Sequence, residues 1–459
     1  MTEGTLHFIG IGGIGMSAIA RIFLARGEAV SGSDIKETPL VRNLREAGAT
    51  IHLGHAGKHV RGARAVVVSS AIDPKNPEFV AAKEAGLPIF GRGEMLAKLM
   101  EGRRGIAIAG THGKTTTTAI ASSILRYAGV DATILVGGES HDTGTNAHDG
   151  ASEWFLTEAD ESDGSFMELR PVIALVTNIE NDHIASDADL PKLRENFSAF
   201  LERLPEDGVA IVGIDNKHSA LIAPGQRPAK TVTFGLTSAA DVHAANVRFA
   251  DLGSTFDVIA GGVCLGSARL RVPGEINIAN ALGAIVVARE LGVPFVQVAE
   301  ALADFHGVRR RFDILARSER MTIVDDYAHH PTAVQATIAA ARRYYAGPIV
   351  VAFQPHRYTR TAYLARDFAE SLRGVELVFL TPVYAASELP IEGVSERSIG
   401  EPLRATGANV QYVPSVEALP EAILEHAPPG ALVLMLGAGN ITNVAAQLAA
   451  RLSRAQAVS

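Results

Sequence analysis

Three times along this chain a short apolar strand runs into a glycine-bearing turn and then into a segment of helical period. The first is Leu6-His7-Phe8-Ile9, then Gly10-Ile11-Gly12-Gly13-Ile14-Gly15 and a helix through Met16–Arg26. The second is Gly105-Ile106-Ala107-Ile108-Ala109, then Gly110-Thr111-His112-Gly113-Lys114 and a helix to about Tyr127. The third is Leu432-Val433-Leu434-Met435-Leu436, then Gly437-Ala438-Gly439-Asn440 and a closing helix. The units differ in sequence and are unevenly spaced, which excludes a solenoid. Each reads as a βα unit of a separate parallel sheet. Length agrees, since 459 residues at roughly 150 per domain suggest about three domains.

Polar breaks place the boundaries. Glu101-Gly102-Arg103-Arg104 separates the first region from the second, and Gly307-Val308-Arg309-Arg310-Arg311-Phe312-Asp313 the second from the third. Alternation such as Thr255-Phe256-Asp257-Val258-Ile259 within 228–272 predicts a small antiparallel sheet attached to the middle region. The hydrophobic share of 47% and charged share of 20% fit a folded chain. A net charge of −8 argues against a nucleic-acid binder, so any anionic ligand must be held by local devices. No apolar run approaches the ~18 residues that span a bilayer, and no signal-peptide pattern opens the chain. The single cysteine, Cys264, excludes an internal disulfide and suggests a reducing, cytoplasmic setting. Its alternating neighbours predict a buried strand position.

Gly10-x-Gly12-x-x-Gly15 follows a strand and opens a helix, with Asp34 beyond the next strand. Such a turn lets the backbone approach a diphosphate, and the acid suits a ribose hydroxyl. A dinucleotide and a nucleotide sugar would both satisfy it. Gly110-Thr111-His112-Gly113-Lys114-Thr115-Thr116 is a variant phosphate loop, with Ile108 where the strict pattern has glycine. Its N–H groups cradle phosphates, Lys114 neutralises the β/γ oxygens and Thr115 offers a hydroxyl to Mg²⁺. Glu158-Ala159-Asp160-Glu161-Ser162-Asp163 ends a second strand and Asn181-Asp182-His183 a third. A carboxylate at a strand end beside such a loop completes Mg²⁺ coordination. In the last region Asp325-Asp326-Tyr327-Ala328-His329-His330-Pro331 and Gln354-Pro355-His356-Arg357-Tyr358-Thr359-Arg360 both follow strands. Histidines with nearby arginines at strand ends point to a carboxylate or phosphate site.

These motifs, with VVVSSAI, VPGEIN, RRFD and GAGNI, run in order through nearly the whole chain. Together they resemble the Mur ligase family, most closely its alanine-adding branch. The resemblance implies an α/β protein of three domains. A Rossmann-like N-terminal domain (1–103) would bind the UDP-sugar. A P-loop ATPase-like central domain with a small additional β-sheet (104–312) would bind ATP, and a Rossmann-like C-terminal domain (313–459) the amino acid. The implied reaction joins L-alanine to the carboxylate of UDP-N-acetylmuramic acid through an acyl phosphate, with ATP, and with Mg²⁺ or alternatively Mn²⁺, as cofactors. Nucleic acid and membrane insertion have no part in it.

Carried over by motif, Gly10, Gly12, Gly13, Gly15 and Met16 face the UDP diphosphate, with Asp34, Ser69, Ser70 and Ala71 near the uridine nucleotide. Gly110 to Thr116 hold ATP phosphates, and Thr115, Glu158 and His183 match the Mg²⁺ positions. Asn277 and Asn280 match the adenine motif, while Arg311 and Asp326 reach the nucleotide. His329, His330, His356, Arg357 and Arg360 match the amino-acid face. The catalytic set implied is Lys114, Glu158, His183, His329, His330 and Arg357. Relatives that add later residues carry a carbamate-modified lysine where Phe197 stands here. Two positions depart from the family pattern: Ile276 replaces a histidine and Ala185 an aspartate.

Overall fold

The computed structural model describes residues 4–161, 164–180, 190–222, 230–250, 253–386 and 388–456. Its first sheet holds β1 (Thr5–Ile9), β2 (Val30–Asp34), β3 (Thr50–Leu53), β4 (Ala63–Val68) and β5 (Ile89–Gly91). They lie in the order β3-β2-β1-β4-β5, all parallel. Leu6, Phe8 and Ile9 of β1 are buried on both faces, as a central parallel strand requires. The helix Ile14–Ala25 covers one face with Met16, Ile19, Ile22 and Phe23. Strand order reverses at β1, so the crevice beyond its carboxyl end is the binding position of such a sheet.

The second sheet holds β6 (Arg104–Ala109), β7 (Thr133–Leu135), β8 (Ala147–His148), β9 (Trp154–Glu158) and β10 (Ile173–Val176). It continues through β11 (Val209–Gly213), β12 (Lys230–Gly235), β13 (Val242–Ala250), β14 (Gly253–Ala260) and β15 (Val263–Leu270). Their order is β15-β14-β13-β12-β11-β10-β6-β9-β7-β8. The chain reverses direction across this sheet at β6, whose neighbours β9 and β10 both run parallel to it. The strands expected within 228–272 are present, but they do not form a separate antiparallel sheet. They prolong the central sheet at one edge, because β12 bonds in parallel to β11 and β13 to β12.

The third sheet holds β16 (Asp313–Arg317), β17 (Met321–Asp326), β18 (Ile349–Phe353), β19 (Leu377–Leu380), β20 (Val410–Tyr412) and β21 (Ala431–Leu436). The order is β16-β17-β21-β18-β19-β20, parallel apart from the β16–β17 pair. The strand of the third glycine unit, β21, is therefore central, and every one of its residues is buried.

The chain forms two compact units, one of residues 1–245, 257–268 and 279–303, the other of 246–256, 269–278 and 304–459. The first unit contains the first sheet and most of the second. One continuous core joins them, running from Leu6, Phe8 and Ile22 to Ala107, Phe155, Val176, Phe197 and Phe200. Phe197 packs on Phe166 with ring centroids 5.5 Å apart, so the position of the relatives' modified lysine is a core aromatic here. Cys264 lies on a strand as expected, but its side chain is exposed. β15 is the outermost strand of its sheet and leaves its first residues open to solvent. Among the described residues no helix is long and apolar enough to cross a membrane.

Candidate functional site

At the first switch point the chain leaves β1 through Gly10, whose φ is +80°. Gly10 and Ile11 donate their N–H groups to the carbonyl of Ser33 on β2. Asp34, the next residue, accepts a 2.9 Å hydrogen bond from Gly12 N–H. A Cβ on Gly12 would stand 2.8 Å from that carboxylate oxygen, so the close approach requires glycine. Asp34 thus holds the turn itself, and its second oxygen accepts from Lys36 N–H at 3.2 Å. Ser69 donates its N–H to the Ile9 carbonyl and so stands beside Gly10, while Ser70 and Ala71 are exposed just beyond. Met16 is buried in the core beneath the turn. The residues matched by motif to the UDP-sugar therefore lie around the carboxyl end of β1, with Met16 buried in the helix that follows.

Beneath this turn lies a polar cluster that sequence reading did not find. Glu78 is fully buried, and His59 Nδ1 lies 2.6 Å from one of its oxygens. The other oxygen receives the Ser33 hydroxyl and lies 3.2 Å from His55 Nδ1 and 3.6 Å from His7 Nε2. Ala56 N–H donates to Glu78 at 3.2 Å. Burial raises this carboxyl's pKa, but the nearby His7 ring and the hydrogen bonds from Ser33, His59 and Ala56 override it and hold it at about 2. The only sequence signal is three histidines scattered over separate elements, which no local pattern connects to Glu78.

At the second switch point β6 leads into Gly110 (φ +125°), and Gly113 (φ +84°) caps the helix Lys114–Tyr127. A Cβ on Gly110 would meet Thr177 Oγ1 at 2.1 Å, and one on Gly113 would meet Asn280 Oδ1 at 2.4 Å. The loop is clamped from β10's end. Thr177 Oγ1 donates to the His112 carbonyl at 2.6 Å, and Asn178 bonds both N–H and carbonyl of His112. Glu180 N–H donates to Thr111 Oγ1 at 2.9 Å, and its carboxylate lies 3.3 Å from His112 Nε2. Thr115 Oγ1 donates to Glu158 Oε2 at 3.1 Å, and Gly137 N–H donates to the other oxygen of Glu158. Thr116 is buried in the first turn of the helix.

Hard oxygen donors, Thr115 from a helix start and Glu158 from a strand end, suit Mg²⁺, which keeps several of its waters. His183, with Asp182 and Ala185, lies outside the described residues. Among those described no group of three His, Cys, Asp or Glu is set to hold a metal.

Lys114 points back over its loop. Its Nζ donates to Gly110 O at 2.6 Å and to the Glu161 carboxylate at 2.8 and 3.0 Å. The Glu161 side chain is only 3% exposed. Burial pushes its pKa up from the ordinary value, and Lys114 opposes the rise. Sequence reading noted four acids at 158–163 without seeing which one faces the lysine. Next to it, Asp160 accepts from Arg92 at 3.1 Å, and Arg92 also donates to Ser165 at 3.3 Å.

The second unit carries the remaining candidates apart from Asn280, which belongs to the first. β17 and β18 flank β21, so their ends stand on either side of the Gly437–Asn440 turn. The His329 and His356 rings meet edge to face at 5.8 Å, and His356 stacks on Tyr384 at 5.5 Å. His329 Nδ1 lies 2.8 Å from the Tyr327 carbonyl, and buried His330 begins the helix Pro331–Tyr344 as its cap. Arg357 has φ +71°, a left-handed conformation costly for a side chain, and caps the helix Tyr358–Ser371, whose first turn carries Arg360. Glu388 accepts from Thr359 N–H at 3.0 Å and Thr359 Oγ1 at 2.7 Å, and lies 4.0 Å from Arg357. Burial, then the charges of Arg360 and Arg357, lower the His356 pKa to about 4, so its imidazole is neutral at physiological pH.

Asp326 accepts from Phe312 N–H and Ala328 N–H at 2.8 Å each, and Arg311 stacks over Tyr327 with its centre 5.2 Å from the ring. Asp326 is thus engaged with local backbone. Asp325, beside it, is raised to about 6 by burial, against a hydrogen bond from Thr442 and the charge of Arg310. Asn277 Nδ2 donates to Pro273 O at 2.7 Å, while Asn280, three residues on, is the one that touches the phosphate loop. Ile276 is 41% exposed and so leaves a half-open apolar face where the family has histidine.

Comparison with known proteins follows the same three-part layout. Residues 5–104 match the family model "Mur ligase family, catalytic domain", 108–288 "Mur ligase middle domain" and 310–439 "Mur ligase, glutamate ligase domain". The UDP-N-acetylmuramate–L-alanine ligase of Acidithiobacillus ferrooxidans is 45% identical, covering 96% of each chain. That of Solibacter usitatus is 43% identical over 97% of this chain and 95% of its own. The crystal structure of UDP-N-acetylmuramate-alanine ligase from Thermotoga maritima superposes with a TM-score of 0.85 at 28% identity, covering 98% of this chain and 100% of that one. With its glycine turns, clamped lysine loop and histidine-bearing third sheet all in the matched order, this chain belongs to the Mur ligase family.

Proposed function

We propose that this protein joins L-alanine to the lactyl carboxylate of UDP-N-acetylmuramic acid at the expense of ATP. The products are UDP-N-acetylmuramoyl-L-alanine, ADP and phosphate, in cytoplasmic synthesis of peptidoglycan precursors. The observation that carries this reading is the clamped loop with Lys114 at its lip and the Thr115–Glu158 pair beside it. A carboxylate and an amine do not condense in water, so the carboxylate must first gain a leaving group. Its oxygen attacks the γ-phosphorus of ATP, and ADP departs. The alanine nitrogen then attacks the carbonyl carbon, phosphate leaves, and the nitrogen loses its proton.

The chain's part is positioning and charge compensation. The Gly10–Gly15 turn, its own N–H groups through Gly13 internally bonded, leads into the helix start at Ile14 and Gly15, whose backbone N–H groups would meet the UDP diphosphate. Of the loop Gly110 to Thr116, the helix start from Gly113 to Thr116 presents its N–H groups to ATP, while Asn178 holds those of Thr111 and His112, and Lys114 neutralises the transferring phosphoryl group. Thr115 and Glu158, with His183, would hold Mg²⁺, which when bound offsets phosphate charge. In the second unit Arg357 and Arg360 supply cations for the alanine carboxylate. Neutral His356 sits between His329 and Tyr384 without adding a competing charge. ADP release measured across amino acids, with and without UDP-N-acetylmuramic acid, tests the proposal. Release that requires the UDP-sugar and is greatest with L-alanine is expected. Turnover indifferent to any amino acid would indicate an ATP-driven switch instead, and turnover favouring another amine a different ligase.

A further inference from the structure

Lys114 is the one cation of its loop, and phosphate neutralisation is its expected task. Yet its ammonium is already paired with both oxygens of Glu161, at 2.8 and 3.0 Å. The carboxylate is almost wholly withdrawn from water, at 3% exposure. A phosphate oxygen bonded to the same ammonium would lie roughly 4.5–5 Å from the carboxylate oxygen, given ~2.8 Å bonds at tetrahedral angles. In a water-poor pocket two such anions repel strongly. The nucleotide must therefore displace Glu161 or bind against it.

We propose that Glu161 is a resident counter-ion of the phosphate loop, which holds Lys114 until nucleotide phosphates take the ammonium over, and which thereby lowers and selects nucleotide affinity. The segment carrying Glu161 is fastened close to it. Asp160 is tied to Arg92, the Asp160 carbonyl accepts from Phe166 N–H at 3.1 Å, and the Glu161 carbonyl accepts from Gly164 N–H at 3.2 Å. Handover then needs only rotation of the Glu161 side chain, with the backbone left in place. Weakly charged anions do not repay the loss of a buried ion pair, whereas a chain of phosphates does. Glu161 is a selectivity residue that acts through Lys114.

The proposal rests on the reading of 110–116 as a phosphate site, and the experiment separates the two. Calorimetry measures binding of Mg·ATP, tripolyphosphate, adenosine and UDP to the full-length wild type and Glu161→Gln. Glutamine keeps the shape and removes the charge. Expected is an affinity for ATP and tripolyphosphate about tenfold higher or more in the variant, with adenosine and UDP unchanged. A general structural role would not divide phosphate from adenosine in this way. Unchanged or weaker tripolyphosphate binding by E161Q, with the wild type binding, would overturn the counter-ion role alone. No tripolyphosphate binding by the wild type would overturn the phosphate site and this inference with it. If E161Q does not fold, Glu161→Asp, which withdraws the carboxylate by one methylene, is read against the same outcomes.

Discussion

The glycine turn after β1 has no lysine of its own, and the anion it meets in the folded chain, Asp34, bonds directly to its backbone at Gly12. The glycine turn after β6 carries Lys114, and the carboxylate it meets, Glu161, bonds to that side chain. Both turns open a helix at a point where strand order reverses, and both are satisfied internally by an acid from another part of the same unit. The difference lies in what each acid can do. Asp34 is locked between two backbone N–H groups and maintains the shape of the turn. Glu161 holds a flexible ammonium and can release it. One turn is a fixed mould; the other is gated by charge. A transferring phosphoryl group needs a mobile cation, whereas a substrate diphosphate that stays intact needs only a shaped cradle.

The strongest way to break the comparison is Lys114→Ala. A fall in kcat/KM of about 10³-fold is expected from loss of a cation at developing charge, with UDP affinity untouched. Equal loss of UDP binding would mean that the two turns are not independent. Next comes Glu78→Gln, which removes the buried acid beneath the first turn. Glu78 titrates at about 2 against an ordinary value of 4.5. Its contribution is therefore present above pH 4.5, is lost as pH falls toward 2, and amounts to about 3 kcal/mol at neutral pH. Thermal unfolding should show the variant less stable at pH 7 and the gap closing by pH 2–3. A gap independent of pH would remove the electrostatic account. The smallest effect belongs to Gly12→Ala, whose Cβ would press on Asp34. Disturbing that bond by about 1.4 kcal/mol weakens UDP-sugar binding roughly tenfold, while ATP affinity holds. Loss of both affinities would show that the mould extends into the second turn.

Both turns are legible in the sequence, because strand, glycine spacing and helix are local properties that short windows report. So were the two strand ends of the third sheet, where His329 and His356 prove to be ring neighbours although 27 residues separate them in sequence. What sequence concealed was the partnering across strands. Glu161 is one of four acids in a short run, and only the parallel pairing of β6 with β9 decides which of them faces Lys114. Asn178 grips the phosphate loop because β10 is the other neighbour of β6, and strand order cannot be read from a window. Nor did the sequence show that the oxygens of Asp34 and Asp326 accept hydrogen bonds from the backbone N–H groups of Gly12, Phe312 and Ala328, partners that folding brings to them. Cys264 was misplaced because alternation gives the two faces of a strand but not its rank in the sheet. β15 is outermost, and there even an apolar-looking face is open.

That same outermost thiol sets a stoichiometric limit. A chain with one cysteine, and that one accessible, can form at most one intermolecular disulfide. Oxidation therefore stops at a covalent pair and cannot build a network. Equally, a maleimide dye attaches at one known place, on the outermost strand of the central sheet. The molecule arrives with a single address for a probe, and no residue has to be engineered to create it.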